Sequence, residues 1–346
     1  MRLDLPRSAL VAAALTLPAS LALTVGLAAQ ADPPRIIDMH LHALPADFNG
    51  PPPSMMCVHT QTFPALDPRD SWGEVFTRGL AESGCERVLR SPETTEEVME
   101  RTLEVLERRN IVAVASGPLE LVGRYEDGAP ERIIRGLILD LGSSSLPPDS
   151  LRRLHAAGQL EVVGEVVTQY SGVAPDDPRM EPYWALAEEL DIPVGIHLGT
   201  GPPGAPYLGT PDYRAELNSA LTLESVLAHH PKLRVYVMHA GWPMIDDLLS
   251  LLYTYPQVYV DTGVIDYLLP RAEFHAYMRR IVEAGFGNRV MFGSDQMIWP
   301  GVIEPAIQAI EEAPFLSAQQ KRDILYGNAA RFLRLSDKVI ARHHGE

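Results

Sequence analysis

Residues 193–239 open with Pro193-Val-Gly-Ile-His197, run through a Gly/Pro-rich stretch, continue as Ser219-Ala-Leu-Thr-Leu-Glu-Ser-Val-Leu-Ala-His-His230, and close with Leu233-Arg-Val-Tyr-Val-Met-His239. Two short Val- and Ile-containing runs, each ending on a histidine, flank a segment whose apolar residues recur at helical spacing. Runs apolar on both faces predict strands of a parallel sheet, with the helix as the crossover between them.

The same unit repeats in both directions. Toward the N-terminus the sequence predicts strand 35–39, helix 94–109, strands 111–115 and 132–139, helix 148–157, strand 161–167 and helix 181–190. Toward the C-terminus it predicts helix 243–255, strand 257–260, helix 271–284, strand 289–292 and helix 302–312, then a last helix over 317–333 packed outside. Eight strands in this alternation predict an α/β protein, a (β/α)8 TIM barrel, with a long Pro-rich loop over 44–90 after the first strand. An open doubly wound sheet is the alternative. It lacks its Gly-x-Gly-x-x-Gly turn after the first strand, and chemically capable residues follow many strands here, as a barrel requires.

The 346 residues carry 29 Lys and Arg against 45 Asp and Glu, a formal charge of −16. An average field of that sign repels polyanions, so a nucleic-acid partner is not expected. Arg2 and Arg7 precede an apolar run from Ala9 to Ala29, closed by Ala29-Gln30-Ala31. This is the layout of a secretory signal peptide, with cleavage expected after Ala31 and a barrel domain over 32–346. An uncleaved anchor is the competing reading of that run; cleavage leaves no stable membrane anchor and an exported, periplasmic protein. Cys57 and Cys85 are the two cysteines. Export places them where a bridge is permitted, and a bridge between them is expected.

Ile36-Ile-Asp38-Met-His40-Leu-His42 sets two imidazoles two residues apart, hence on one face of a strand, where they can grip one divalent cation. His197, His239 and Asp295 end or follow apolar runs of their own. Taken singly, each has an ordinary reading as a hydrogen-bonded histidine or a capping aspartate. Together they occupy the positions where barrel enzymes gather their chemistry. His155, His229, His230, His275, His343 and His344 read as structural or solvated, and His59 as a loop residue near the pocket.

With Phe292-Gly-Ser-Asp295 and Ile324-Leu-Tyr-Gly-Asn328-Ala-Ala-Arg331, these motifs resemble the amidohydrolase superfamily. Within it they resemble the branch related to aminocarboxymuconate semialdehyde decarboxylase, over nearly the whole mature chain. The resemblance implies that His40, His42, His197 and Asp295 bind a divalent metal, that His239 faces the reacting group, and that Asp295 also moves protons. Zn2+ is the expected ion, with Mn2+ as the alternative. Glu165 stands where many superfamily members carry a carbamylated lysine between two metals. It either bridges a second ion, which His239 then joins, or forms a buried ion pair.

Loops 44–90 and 199–216 are expected to select a small-molecule substrate, with Tyr207, Arg214 and Trp242 as its contacts and Trp299 as a further wall. Arg214 either holds a substrate carboxylate or is an ordinary surface residue. The leading expectation is hydrolysis of a small amide, ester or lactone by metal-activated water. Non-oxidative decarboxylation of a small carboxylic acid shares the same ligands and stays open. A non-catalytic binding barrel would be expected to have lost ligands, and every expected position here is filled. The sequence leaves the oligomeric state open, a homo-oligomer included.

Overall fold

The computed structural model describes residues 34–344 apart from 83, 143–145 and 200; the expected leader and its cleavage point lie outside the described residues. The strands are β1 (Ile36–His42), β2 (Met55–Thr60), β3 (Cys85–Arg90), β4 (Ile111–Ser116), β5 (Ile133–Leu139), β6 (Val162–Val166), β7 (Val194–Ile196), β8 (Val235–Val237), β9 (Tyr259–Asp261) and β10 (Val290–Met291).

Eight of them form one parallel sheet in the order β1-β4-β5-β6-β7-β8-β9-β10, which is the TIM barrel predicted from the alternation. The Met39 N–H donates to the Phe292 carbonyl at 2.9 Å and draws the two ends of the sheet together. Every residue of β4 and β6 is buried, because one face fills the barrel interior while the other packs under helices. Helix Thr95–Arg108 shows the local logic: Thr94 caps it by accepting the Glu97 N–H, and Val98, Thr102, Val105 and Leu106 form its buried stripe.

Three elements differ from the sequence expectation. The 44–90 excursion is not a plain loop, since β2 and β3 pair antiparallel within it and helix Trp72–Glu82 joins them. Its strands escape the sequence pattern because β3 is mostly exposed and presents no apolar face. Cys57 and Cys85 are bridged across this hairpin, as expected. A helix, Leu119–Gly128, occupies the interval between β4 and β5, burying Leu121, Val122 and Tyr125; its two glycines mask the pattern. The last predicted helix is broken into Ala318–Arg322, a wide turn Asp323–Gly327, and Asn328–Phe332. Ser317 starts it with a reciprocal capping box to Gln320.

Candidate active site

The strand-end residues meet in one buried cluster at the C-terminal ends of the strands. β1 delivers His40 and His42 with ring centroids 5.0 Å apart. Asp295 follows β10, and its N–H donates to the His40 carbonyl at 2.6 Å. Glu165 comes from β6, His197 from the residue after β7, and His239 from the turn after β8.

His42 Nε2 lies 3.0 Å from Asp295 Oδ1, and His40 Nε2 lies 3.6 Å from the same oxygen. Glu165 faces both ways. Its Oε2 is 3.5 Å from His42 Nε2, while its Oε1 is 3.9 Å from His40 Nε2 and 2.9 Å from His197 Nδ1. His197 Nδ1 is in turn 3.0 Å from His239 Nε2. Among the described residues three overlapping sets have ligand atoms within 4.8 Å of one another; the expected donors divide between His40 with His42 and Asp295, and Glu165 with His197 and His239, while Asp261 forms the third with His40 and His239. The sorting follows the strand order, since β10 closes on β1 while β6, β7 and β8 are neighbours. It sets His197 beside Glu165 and His239 rather than in one shell with His40 and His42.

This donor set fits a cation. Tetrahedral ligands bound at about 2.1 Å stand about 3.4 Å from one another. His40 Nε2 is buried with no hydrogen-bond partner, and its two nearest carboxylate oxygens sit close to that spacing. Mixed imidazole and carboxylate donors suit zinc and its divalent neighbours.

The electrostatics favour positive charge at this point. Burial alone would lower the His40 pKa, but Asp295, Asp261 and Glu165 reverse that and raise it to about 10. Burial and the adjacent His197 take His239 the other way, to about 4, so its ring is neutral. Asp295 is ionised: burial opposes the charge, and His40 and His42 outweigh burial, holding its pKa below the ordinary value. Glu165 is held ionised in the same way by His197, His42 and His40.

Three residues not foreseen in the site help to build it, Asp261, Tyr170 and Gln296, and Asp38 of the first-strand motif supports it. Asp261 ends β9, with Oδ2 3.2 Å from His40 Nδ1. The Tyr170 hydroxyl lies 3.3 Å from His197 Nε2. The Gln296 side chain straps β1, accepting the His42 N–H at 2.8 Å and donating to the His42 carbonyl at 2.6 Å. Asp38 accepts the His40 and Ser294 N–H groups, each at 2.9 Å, and so ties β1 to the β10 turn rather than joining either donor set. The strand-end rule that finds Asp295 also reaches Asp261; nothing in the sequence marks Tyr170.

A cleft of about 570 Å³ lies beside the cluster, lined by Phe63, Tyr213, Arg214, Trp242, Ile265 and the 201–206 turn among others. Arg214 and Trp242 line this cleft. Tyr207 is 70% exposed and lies outside the lining, although Ala205 and Pro206 of the same helical turn are part of it. Tyr213 occupies the wall instead, and its ring contacts Tyr170, which contacts His197, at centroid distances of 5.3 and 5.0 Å. The Trp72 indole N–H donates to the Pro203 carbonyl at 2.7 Å and seats the excursion on the cleft rim. Gly204, at φ +73°, is required there, since a Cβ would fall 2.1 Å from the indole nitrogen. Trp299 donates its N–H to Ser54 and braces the excursion from below. His59 pairs with Glu86 at 3.1 Å and is not in the lining.

The amidohydrolase family model matches residues 37–335. Among solved structures, an uncharacterised TIM-barrel protein from Bordetella bronchiseptica is similar at TM-score 0.57 and 17% identity, over 90% of this chain and 100% of that one. A 2,6-dihydroxybenzoate decarboxylase in complex with 2,6-dihydroxybenzoate is similar at 0.55 and 15% identity, over 88% and 99%. A probable 2-pyrone-4,6-dicarboxylic acid hydrolase from Acinetobacter baumannii, with citric acid bound, is similar at 0.54 and 15% identity, over 87% and 99%. No curated protein sequence matches the chain.

Proposed function

The chain belongs to the amidohydrolase family, and from that premise we propose that it is an exported, metal-dependent hydrolase acting on a small amide, ester or lactone. The observation that carries this reading is the buried cluster of four imidazoles and three carboxylates in which His40 Nε2 is unpartnered. His40, His42 and Asp295 would hold one divalent cation, Zn2+ by preference, and Glu165, His197 and His239 a second. Such a cation lowers the pKa of a water toward about 7 and polarises a carbonyl.

The chain's own groups supply the rest. Asp295, kept ionised by His40 and His42, takes the proton of the attacking water and returns it to the leaving group. His239 is neutral and meets the reacting group without adding charge. Arg214, in the cleft wall, offers its guanidinium to an anionic substituent, although its Nη1 is already engaged by the Pro211 and Tyr213 carbonyls at 2.8 Å. The Cys57–Cys85 bridge supports export, since such bridges persist in oxidising compartments. The surplus of acidic residues argues against a nucleic-acid partner.

Decarboxylation is supported as a second reading by the likeness to the dihydroxybenzoate decarboxylase. One experiment separates the two. Zinc-loaded protein is incubated in 18O-water with a panel of lactones, esters, amides and carboxylated aromatics. Hydrolysis places one 18O in the product acid and is abolished by chelation; release of CO2 without label in the organic product overturns it.

A further inference from the structure

Asp261 is the strand-end carboxylate for which the reaction above has no use. It is fully buried, and its two oxygens have different tasks. Oδ1 accepts two backbone N–H groups, from His239 at 3.0 Å and from Gly263 at 2.9 Å. Oδ2 lies at ion-pair distance, 3.2 Å, from His40 Nδ1 without aligned hydrogen-bond geometry, and neither atom has any other hydrogen-bond partner among the described residues. The packing admits no other partner between them. A Cβ on Gly263 would fall 2.6 Å from His40 Nδ1, and one on Gly293 would fall 2.7 Å from His40 Cβ and 3.2 Å from Asp261 Cγ.

Asp261 also lies within ligand distance of His40 and His239, so it could serve as a ligand itself. The edge of the ring that it faces decides against this. Asp261 faces Nδ1, while Nε2 on the far edge faces Asp295 and Glu165.

We propose that Asp261 is a positioning residue of the cation site. By accepting the Nδ1–H of His40 it fixes the tautomer whose Nε2 lone pair points at Asp295 and Glu165. By holding the His239 N–H it fixes the backbone that aims the second imidazole. One carboxylate thus aligns one member of each donor set. Carboxylates of this kind fix ring orientation and raise the basicity of a metal-bound imidazole. The inference rests on the metal reading of the site.

Asp261→Asn tests it. The amide oxygen can still accept both backbone N–H groups, so a merely structural role survives the change. The amide nitrogen, however, presents hydrogen to His40 Nδ1 and favours the wrong tautomer. Zinc affinity, measured on the whole protein by competition with a chelator, is expected to weaken about 10- to 100-fold. In zinc-loaded protein with 15N-labelled histidine, the downfield Nδ1–H resonance of His40 is expected in the wild type and lost in the variant. Asp266→Asn is the control: its carboxylate accepts the Thr262 hydroxyl at 3.0 Å and belongs to no donor set, so affinity is expected to stay within about twofold of wild type. Unchanged zinc affinity with an unchanged histidine spectrum in Asp261→Asn overturns the proposal. If that variant does not fold, the wild-type spectrum decides, because a zinc-bound Nδ1 on His40 overturns it alone. A wild type that binds no zinc overturns the metal reading itself, a result distinct from both.

Discussion

His40 sits between three carboxylates, and its behaviour follows from that position. In the metal-free protein its pKa is raised to about 10, so at neutral pH the ring carries a proton that a cation must displace. The raised value favours the protonated form; apparent zinc affinity therefore increases with pH up to about 10. Calorimetry at pH 7.5 in buffers of different ionisation enthalpy is expected to show net proton release on zinc binding, and no release contradicts this assignment. Asp295→Asn removes both a donor and the proton carrier, and kcat is expected to fall about 10²- to 10⁴-fold in steady-state assays. Gly293→Ala tests the packing behind His40, where the added Cβ would fall 2.7 Å from the His40 Cβ. A loss of about 1–3 kcal/mol in denaturant unfolding is expected. His197, His239 and Asp295 were marked because each stands where an apolar run stops, whereas Glu165 lies inside its strand and was marked by the family resemblance. Tyr170 was not, because it sits in a turn beyond β6 and reaches His197 only through the fold.

At the scale of elements, the eight barrel strands were legible because burial on both faces leaves them Val- and Ile-rich, whatever their length. β10 has two residues and was still found, from the apolar run Val290-Met291-Phe292. The β2–β3 hairpin was not legible, since β2 has only the short apolar run 55–58 close to prolines and β3 is mostly exposed. Its organisation comes instead from the Cys57–Cys85 bridge and from the anchors Trp72 and Trp299. The bridge spans 28 residues, which on the chain-entropy estimate is worth about 3–4 kcal/mol. Because the hairpin lies outside the barrel sheet, that loss is expected to appear locally. Cys57→Ser with Cys85→Ser should make the 61–84 segment sensitive to protease while far-UV circular dichroism of the barrel stays unchanged; equal protease resistance contradicts it. Gly204→Val should unseat Trp72 and raise KM with little change in kcat, because it alters the cleft rim and leaves the donors untouched.

The whole molecule is a device for bringing distant parts of the chain to one rim. His40 and Asp295 are 255 positions apart, yet Met39 and Phe292 close the barrel between them, so the two donors become neighbours. The donors come from the C-terminal ends of β1 and β6 and from residues just beyond β7, β8 and β10, and the loops beyond add the cleft. The family motifs were legible in sequence as a set, whereas the division of the donors into two groups was not, because it depends on which strands adjoin round the barrel. The central claim is that these donors share a cation. Its most direct test is an anomalous-difference map, collected at the zinc edge, from crystals of the zinc-loaded protein. The account predicts a peak among His40, His42 and Asp295, and a second beside Glu165, His197 and His239 if Glu165 bridges; a zinc-loaded crystal with no peak in this cluster would contradict it.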